Sequence, residues 1–317
     1  MKNIILLALL TLYCFSLHSQ SEITEGELKN HIEFLISDKN AGRYPGKKGA
    51  KRVVNYIETQ FKNLGIQPVN HNYKQFFKAK LRVDDTLKKP IVKTCNVIGF
   101  IEGNDPVLKN EYIVLGAHYD HLGLGGPSSK SDKRGVVYHG ADDNASGTAA
   151  LLEIAEKLVS KKEELKRSIL FIAFGAEEQG LLGSKYFVEN PLIPLSQIKL
   201  MINMDMVGRL NKNKHVYAGG AGTFTDGVDF MKNLGKSLGL NPIVHAGSVG
   251  GSDHVSFYKK NISVLGVHTG GHPQYHTPED TLELINLEGE KQVCEYIFQT
   301  IVNKANTLEP MHFINQD

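Results

Sequence analysis

Four apolar runs, each closed by an acid or a histidine, constrain this chain more than any other feature. "YIVLGA" runs into His118, "ILFIAF" into Glu177, and "IKLMINM" into Asp205, while "ISVLGV" leads to His268 and, after a loop, His276. Runs this short and this nearly continuous suit strands covered on both faces. Between them lie amphipathic helices. In "SGTAALLEIAEKLVS", Leu151, Leu152, Ala155, Leu158 and Val159 share one face, the helical spacing. Apolar strands alternating with amphipathic helices predict an α/β fold whose largely parallel sheet is covered by helices on both faces. In such open sheets functional groups collect beyond the carboxyl ends of the strands. The acids and histidines that close the runs can therefore meet, although they are far apart in sequence.

Upstream, "ITEGELKNHIEFLISD" reads as a helix with Leu28, Ile32, Leu35 and Ile36 on one side. "KGAKRVVNYIETQFKNLGI" reads as a second, stopped by Gly65 and Pro68. "GRYPGKKG" joins them as a turn-rich link, and "TCNVIGFIEG" begins the strands. With no Pro/Ser-rich linker and no repeat, the expectation is one domain over residues 21–317, against which the N-terminal helices (21–68) pack. A chain of 317 residues with 41% hydrophobic content has enough apolar material for a sizeable core. Lys and Arg number 36 against 34 Asp and Glu, a net charge of +2. No basic block points to nucleic acid and no acidic tail to a disordered arm. The mixed run "KKEELKR" (161–167) reads as a solvated helix end.

Residues 1–20, "MKNIILLALLTLYCFSLHSQ", have one lysine, an apolar stretch from Ile4 to Leu17 and a polar end. This is the pattern of a signal peptide, with cleavage near Gln20. The apolar stretch is short for a membrane span. Tyr13 stands before Cys14 where a lipidation signal takes a small residue, which argues against lipidation there. The expectation is export, periplasmic or extracellular, with no transmembrane anchor after cleavage. Cys95 and Cys294 then remain, both in apolar contexts, and read as free buried thiols. They are too few for a thiolate zinc site.

The acids and histidines themselves form a constellation. Glu177 and Glu178 are adjacent at the end of a buried run, where repulsion and burial both oppose ionisation. A metal cation would offset both. In "GAHYDH", His118 can ligate through one ring nitrogen while Asp120, on the same side if the chain stays extended, holds the other. "HGADDNASG" places Asp142 and Asp143 before a helix whose N-cap is Asn144 or Ser146. Asp205, between Met204 and Met206, is an acid in an apolar strand, costly unless paired or metal-bound. His276 precedes Thr277-Pro278, a rigid loop. Nitrogen and oxygen donors without thiolates suit zinc. Five ligands sharing one Asp would hold two zinc ions, and a spare glutamate would serve as the base of a hydrolase.

In order, "GAHYDH", "GADDNASG", "AEEQGLLGS", "NMDMVGR" and "YHTPEDT" closely resemble the secreted bacterial di-zinc aminopeptidases. Relatives of that family include glutamate carboxypeptidase, glutaminyl cyclase and the transferrin receptor. The resemblance covers roughly residues 26–305, "GRYPG" included. It implies a mixed sheet between helices, the zinc-exopeptidase, phosphorylase/hydrolase-like fold. It implies two zinc ions per chain, His118 and Asp205 on one, Glu178 and His276 on the other, and Asp143 between them. Glu177 takes the general-base position, Asp120 the carboxylate that orients His118, and Tyr275 a position where some members polarise the scissile carbonyl. It also implies a cis peptide at Asp143-Asn144 and, as substrate, peptide or protein N-termini. His121, His139, His254, His268 and His272 are left as supporting, loop or pocket residues.

The rival readings each lack a feature. Related deacylases and carboxypeptidases carry an inserted domain between the Asp205 and His276 positions, and here main-sheet elements fill that stretch. Glutaminyl cyclase dispenses with the His118 type of ligand and uses one zinc. A receptor-like dead homologue would have lost ligands. "GSVGGSDH" lacks the G-x-S-x-G spacing of a serine nucleophile elbow, and no stretch matches a P-loop. A carboxypeptidase or dipeptidase activity stays open beside the aminopeptidase.

Overall fold

The structure is a computed structural model, and it describes residues 22–82, 90–247 and 249–316. The signal-peptide reading of residues 1–20, with Cys14, lies outside the described residues. Among the described residues nine strands form one sheet: β1 (Gln67–Pro68), β2 (Lys74–Lys80), β3 (Ile91–Ile101), β4 (Tyr112–His118), β5 (Ser168–Phe174), β6 (Ile198–Met204), β7 (His215–Gly219), β8 (Asn241–Val244) and β9 (Val264–His268). Their order is β1-β3-β5-β4-β6-β9-β7-β8, with β2 beside β1 along the same edge of β3. The sheet is mixed. Its centre, β5-β4-β6-β9, is parallel, while β3 joins β5 and β7 joins β9 antiparallel. The four central strands are the four apolar runs, so their carboxyl ends share one edge.

Successive residues of a strand point to opposite faces, and both faces here are apolar. In β5, Ile169, Phe171 and Ala173 enter one core while Leu170, Ile172 and Phe174 enter the other. That explains the lack of polar alternation in the run. The larger core is closed by α1 (Glu25–Ile36), α2 (Lys48–Asn63), α3 (Gly147–Ser160), α5 (Gly227–Ser237) and α7 (Leu287–Asn306). The smaller is closed by α4 (Leu182–Glu189) and α6 (His254–Tyr258), through Phe187 and Phe257. Leu28, Ile32 and Leu35 of α1 are fully buried, and α1 packs against α3 and α7. Cys95 and Cys294 are free and buried.

One surface reading needs correction. Arg167, the last residue of "KKEELKR", is buried rather than solvated. It lies at the entry to β5, beneath the end of α7. Its Nε sits 2.8 Å from Glu111, and its Nη1 donates to the carbonyls of Lys304 and Thr307. The last carbonyls of a helix have no partners within it, and a cation there satisfies them.

Candidate metal centre

Each donor arrives at the shared edge for a local reason. His118 is the last residue of β4, and Asp205 directly follows β6. Glu177 and Glu178 follow β5 in a tight turn, in which the Gly180 and Leu181 N–H groups both donate to the Glu177 carbonyl. Asp143 lies in the turn that opens α3, and His276 in the loop after β9. Ala176, Met206 and His276 all have left-handed backbone (φ 62°, 62° and 61°). Such conformations cost roughly 1–3 kcal/mol each and cluster at functional sites. The peptide Asp143-Asn144 is cis.

The donors form two groups that share Asp143: His118, Asp143 and Asp205, and His121, Asp143 and Glu178, with ligand atoms in each group within 4.8 Å of one another. Nε2 of His118 is 3.4 Å from both Asp143 Oδ1 and Asp205 Oδ1. Nε2 of His276 is 3.0 Å from Asp143 Oδ2 and 3.1 Å from Glu178 Oε2. Asp143 therefore turns one oxygen to each side. Asp143 Oδ2 and Asp205 Oδ1 are buried without a hydrogen-bond partner, which is costly for a carboxylate oxygen unless a cation neutralises it. The residues present thus fit zinc. Glu177 stands apart from the second group, with its Oε2 3.9 Å from His118 Nε2.

A second layer of buried polar groups holds these donors. Asp280 accepts from the backbone N–H groups of Asp142 and Asp143, at 3.0–3.1 Å. Asp142 Oδ1 accepts from Gly208 N–H at 2.8 Å, tying the α3 turn to the segment after Asp205, and its Oδ2 lies 3.2 Å from His272 Nε2. Of the two N-cap candidates, Asn144 accepts the Gly147 N–H at 3.0 Å and also reaches the Met204 carbonyl, at 2.9 Å. Arg43, fully buried, donates to the carbonyls of Tyr119 (2.8 Å), His139 (2.6 Å), Gly140 (3.0 Å) and Leu35 (3.3 Å). It clamps the segment after His118 to the segment before Asp143. Gly42, beside it, has φ 64°, and a Cβ there would stand 2.3 Å from the Gly123 carbonyl oxygen, so only glycine fits.

Asp120 differs from the sequence expectation. Nδ1 of His118 lies 3.2 Å from the backbone carbonyl of Asp120, not from its carboxylate. The carboxylate accepts instead from Glu177 N–H at 2.9 Å. β4 ends at His118, so the chain is no longer extended at Asp120, and the two side chains do not share a face.

The charges follow from burial and crowding. Burial, reinforced by Glu178, Asp253 and Asp205, raises the Glu177 carboxyl well above its usual range against the opposing effect of His118. For Asp143, burial acts upward but is outweighed by His118, His276 and His121, and its carboxyl is held well below the usual range. Burial likewise opposes a charge on His276, yet Asp143 and Glu178 raise it to about 10. A cluster with surplus negative charge imposes this direction on any cation, proton or metal.

Next to Asp205 opens a cavity of about 320 Å³, lined by Met206, Tyr217, His245, His254, His268 and Tyr275 among others. His268 stacks on Tyr217, and Tyr275 stacks on His276, with ring centroids 4.9 and 3.8 Å apart. Burial lowers His254 to about 4, so it is neutral at ordinary pH.

The profile of Peptidase family M28 matches residues 96–301, which contain every donor named above. The chain belongs to peptidase family M28. Over 211 residues it is 31% identical to Aminopeptidase YwaD of Bacillus subtilis (strain 168), covering 64% of this chain and 43% of that protein. The chain spans about half the length, or less, of the curated relatives it matches. Among solved structures, a Zn-dependent exopeptidase from Parabacteroides distasonis aligns with TM-score 0.72 at 21% identity, over 90% of this chain and 100% of that one. Porphyromonas gingivalis glutaminyl cyclase aligns with TM-score 0.71 at 19% identity, over 90% and 99%. At these identities the two show a shared fold. Membership of M28 implies zinc at the donor clusters.

Several residues of this M28 chain contribute more than the sequence suggested. His121 lies in one of the donor groups. Arg43 sits in what reads as a turn-rich link, and Asp280 in the tail of "YHTPEDT". Asp253 is fully buried near Glu177, and burial first, then Asp120 and Asp205, raise its carboxyl to about 7. In the sequence Asp253 sits in "GSDHVSFYKK", with no apolar run beside it to mark it.

Proposed function

We propose that this chain is an exported two-zinc aminopeptidase that removes residues from peptide or protein N-termini. The observation that carries the reading is the shared Asp143, with one oxygen toward His118 and Asp205 and the other toward Glu178 and His276. His118 and Asp205 would hold one zinc and Glu178 and His276 the other. Zinc bound there supplies Lewis acidity, which acidifies water and polarises a carbonyl.

Glu177 is the general base. It takes a proton from the attacking water as the water oxygen bonds to the peptide carbonyl carbon. It returns that proton to the nitrogen as the C–N bond breaks, a contribution of roughly 10²- to 10⁴-fold. Asp120 acts through the turn, since its carboxylate holds the Glu177 N–H. Tyr275, at the rim of the cavity, donates to the oxygen that gains charge.

The cavity beside Asp205 receives the N-terminal side chain. Among the described residues no lysine or arginine lines it, and Asp205 borders it. An anionic border without cations suits an ammonium group rather than a terminal carboxylate, which favours cleavage from the N-terminus over the C-terminus. Residues 1–20 act as the export signal and 21–317 as one peptidase domain. No helix among the described residues is long and apolar enough to cross a membrane.

The test is a panel of amino-acid anilides, N-blocked analogues and peptides read for C-terminal release, using purified mature protein. Cleavage of the free-amine set alone is expected. Release from the C-terminus would overturn the direction. Cyclisation of an N-terminal glutamine without peptide cleavage would replace the reading with a cyclase, the activity in the name of the Porphyromonas gingivalis neighbour.

A further inference from the structure

We propose that His121 is a sixth metal ligand, binding through Nδ1 and completing an all-protein shell around the metal held by Glu178 and His276. The proposal rests on the two-metal reading and adds a donor that the five-ligand set leaves out.

His121 is fully buried, and its Nδ1 lies 2.8 Å from Glu178 Oε1 and 3.9 Å from Asp143 Oδ2. His276 Nε2 lies 3.1 Å from the other oxygen of Glu178 and 3.0 Å from the same Asp143 Oδ2. Both imidazole nitrogens thus face Asp143 Oδ2, each beside a different oxygen of Glu178. Four donors in a tetrahedron about 2.0–2.1 Å from zinc stand about 3.3–3.4 Å from one another. The two spacings to the shared Asp143 Oδ2, 3.0 Å from His276 and 3.9 Å from His121, bracket that value, and each nitrogen has its own oxygen of Glu178, at 3.1 and 2.8 Å. Asp143 Oδ2, at the centre of the group, is buried and has no hydrogen-bond partner. The two rings meet edge to face at 5.9 Å, so both can turn a nitrogen inward without clashing.

The backbone makes room for this ring. Gly140 has φ 57°, and a Cβ there would stand 2.5 Å from His121 Cδ2. The neighbouring carbonyls of Tyr119, His139 and Gly140 are held by Arg43. The His118 side is different: its close donors are one nitrogen and two oxygens, Asp143 Oδ1 and Asp205 Oδ1. Three protein ligands leave a position open for water or substrate, and four close the shell. His121 would therefore divide the labour of the two metals, with the Glu178 side holding the site together and the His118 side keeping an open position.

The alternative is a His121 that only hydrogen-bonds Glu178 from outside the shell. The experiment loads the full mature chain with cadmium, using the spin-active isotopes of cadmium and, at histidine, of nitrogen. It counts imidazoles that show cadmium–nitrogen coupling. Three coupled rings at two cadmium ions per chain are expected, with one signal lost in His121→Ala. Two coupled rings at two cadmium ions would overturn the proposal and leave the two-metal reading standing. Fewer than two cadmium ions at saturation would overturn that reading itself. The wild-type count decides even if the variant fails to fold. Where the variant folds, its second metal should be lost at a chelator concentration more than 100-fold lower. A loss limited to about 10- to 100-fold is what an outer-shell partner gives and would count against the proposal.

Discussion

Replacing Arg43 tests whether the metal centre depends on a residue that touches no donor side chain. In Arg43→Met four hydrogen bonds disappear. The Leu35 carbonyl keeps Asn40 Nδ2 and the Gly140 carbonyl keeps Ala145 N–H as partners. The carbonyls of Tyr119 and His139 have no other bond among those described. A buried carbonyl left without a partner costs about 1–3 kcal/mol; that of Tyr119 is buried and that of His139 partly so, so the variant should lose at least about 1–3 kcal/mol of stability. Arg43→Lys, which keeps the charge but loses the fork, should lose less. The same two carbonyls flank His118 and the Asp142–Asp143 turn, so the loss should reach the metals. An outer-shell change of this kind weakens metal binding by about 10- to 100-fold. Thermal unfolding of both variants, together with zinc retention against graded chelator, measures both effects. A melting temperature and zinc affinity for Arg43→Met equal to those of the wild type would refute the reasoning.

Three further outcomes follow from the same contacts. Glu178→Gln replaces an anionic donor with a neutral oxygen and should lose zinc from one site, with excess zinc partly restoring activity; metal analysis at two zinc concentrations checks this. Asp280→Asn should weaken zinc retention without removing a ligand, because the amide leaves one acceptor oxygen where two now hold the Asp142 and Asp143 N–H groups, and removes the negative charge; unchanged zinc retention would contradict this. Glu290 is buried with neither carboxylate oxygen partnered, and burial, then Asp142 and Glu153, hold its carboxyl well above the usual range. The unfolded chain releases that proton near the ordinary pKa and the folded chain only at higher pH, so stability falls as pH rises between the two, by at most about 1.4 kcal/mol per pH unit. Glu290→Met should therefore raise the melting temperature more at about pH 8 than at about pH 5, and an equal gain at both would show that the group is not protonated in the fold.

Much of the fold was legible because both faces of the central strands are apolar. The run Ile169–Phe174 could only be a covered strand, and the acid after it marked its end. The clustering of these side chains was legible for the same reason: Asp205 follows an apolar strand, and His118 and Glu177 close two others. What the sequence could not carry was orientation. Asp120 lies two residues from His118, and only the end of β4 at His118 decides that their side chains do not meet. Arg167 reads as part of a solvated helix end and Arg43 as part of a turn-rich link, because a buried guanidinium is recognised by the carbonyls around it, which come from distant segments. His121 was set aside because five ligands made a sufficient set, and its distance to Glu178 depends on how two strand ends are juxtaposed. The left-handed backbone at Ala176 and Met206 is invisible for residues that ordinarily avoid it.

In the mechanism we propose, Glu177 moves the proton while its neighbours hold the metals. The most direct measurement is kcat for Glu177→Gln, made on protein whose zinc content is determined in the same sample. Two zinc ions per chain and a kcat lowered by about 10²- to 10⁴-fold are expected, with substrate binding little changed. Near-normal kcat at full zinc occupancy, or loss of zinc from this variant and not from Glu178→Gln, would contradict it.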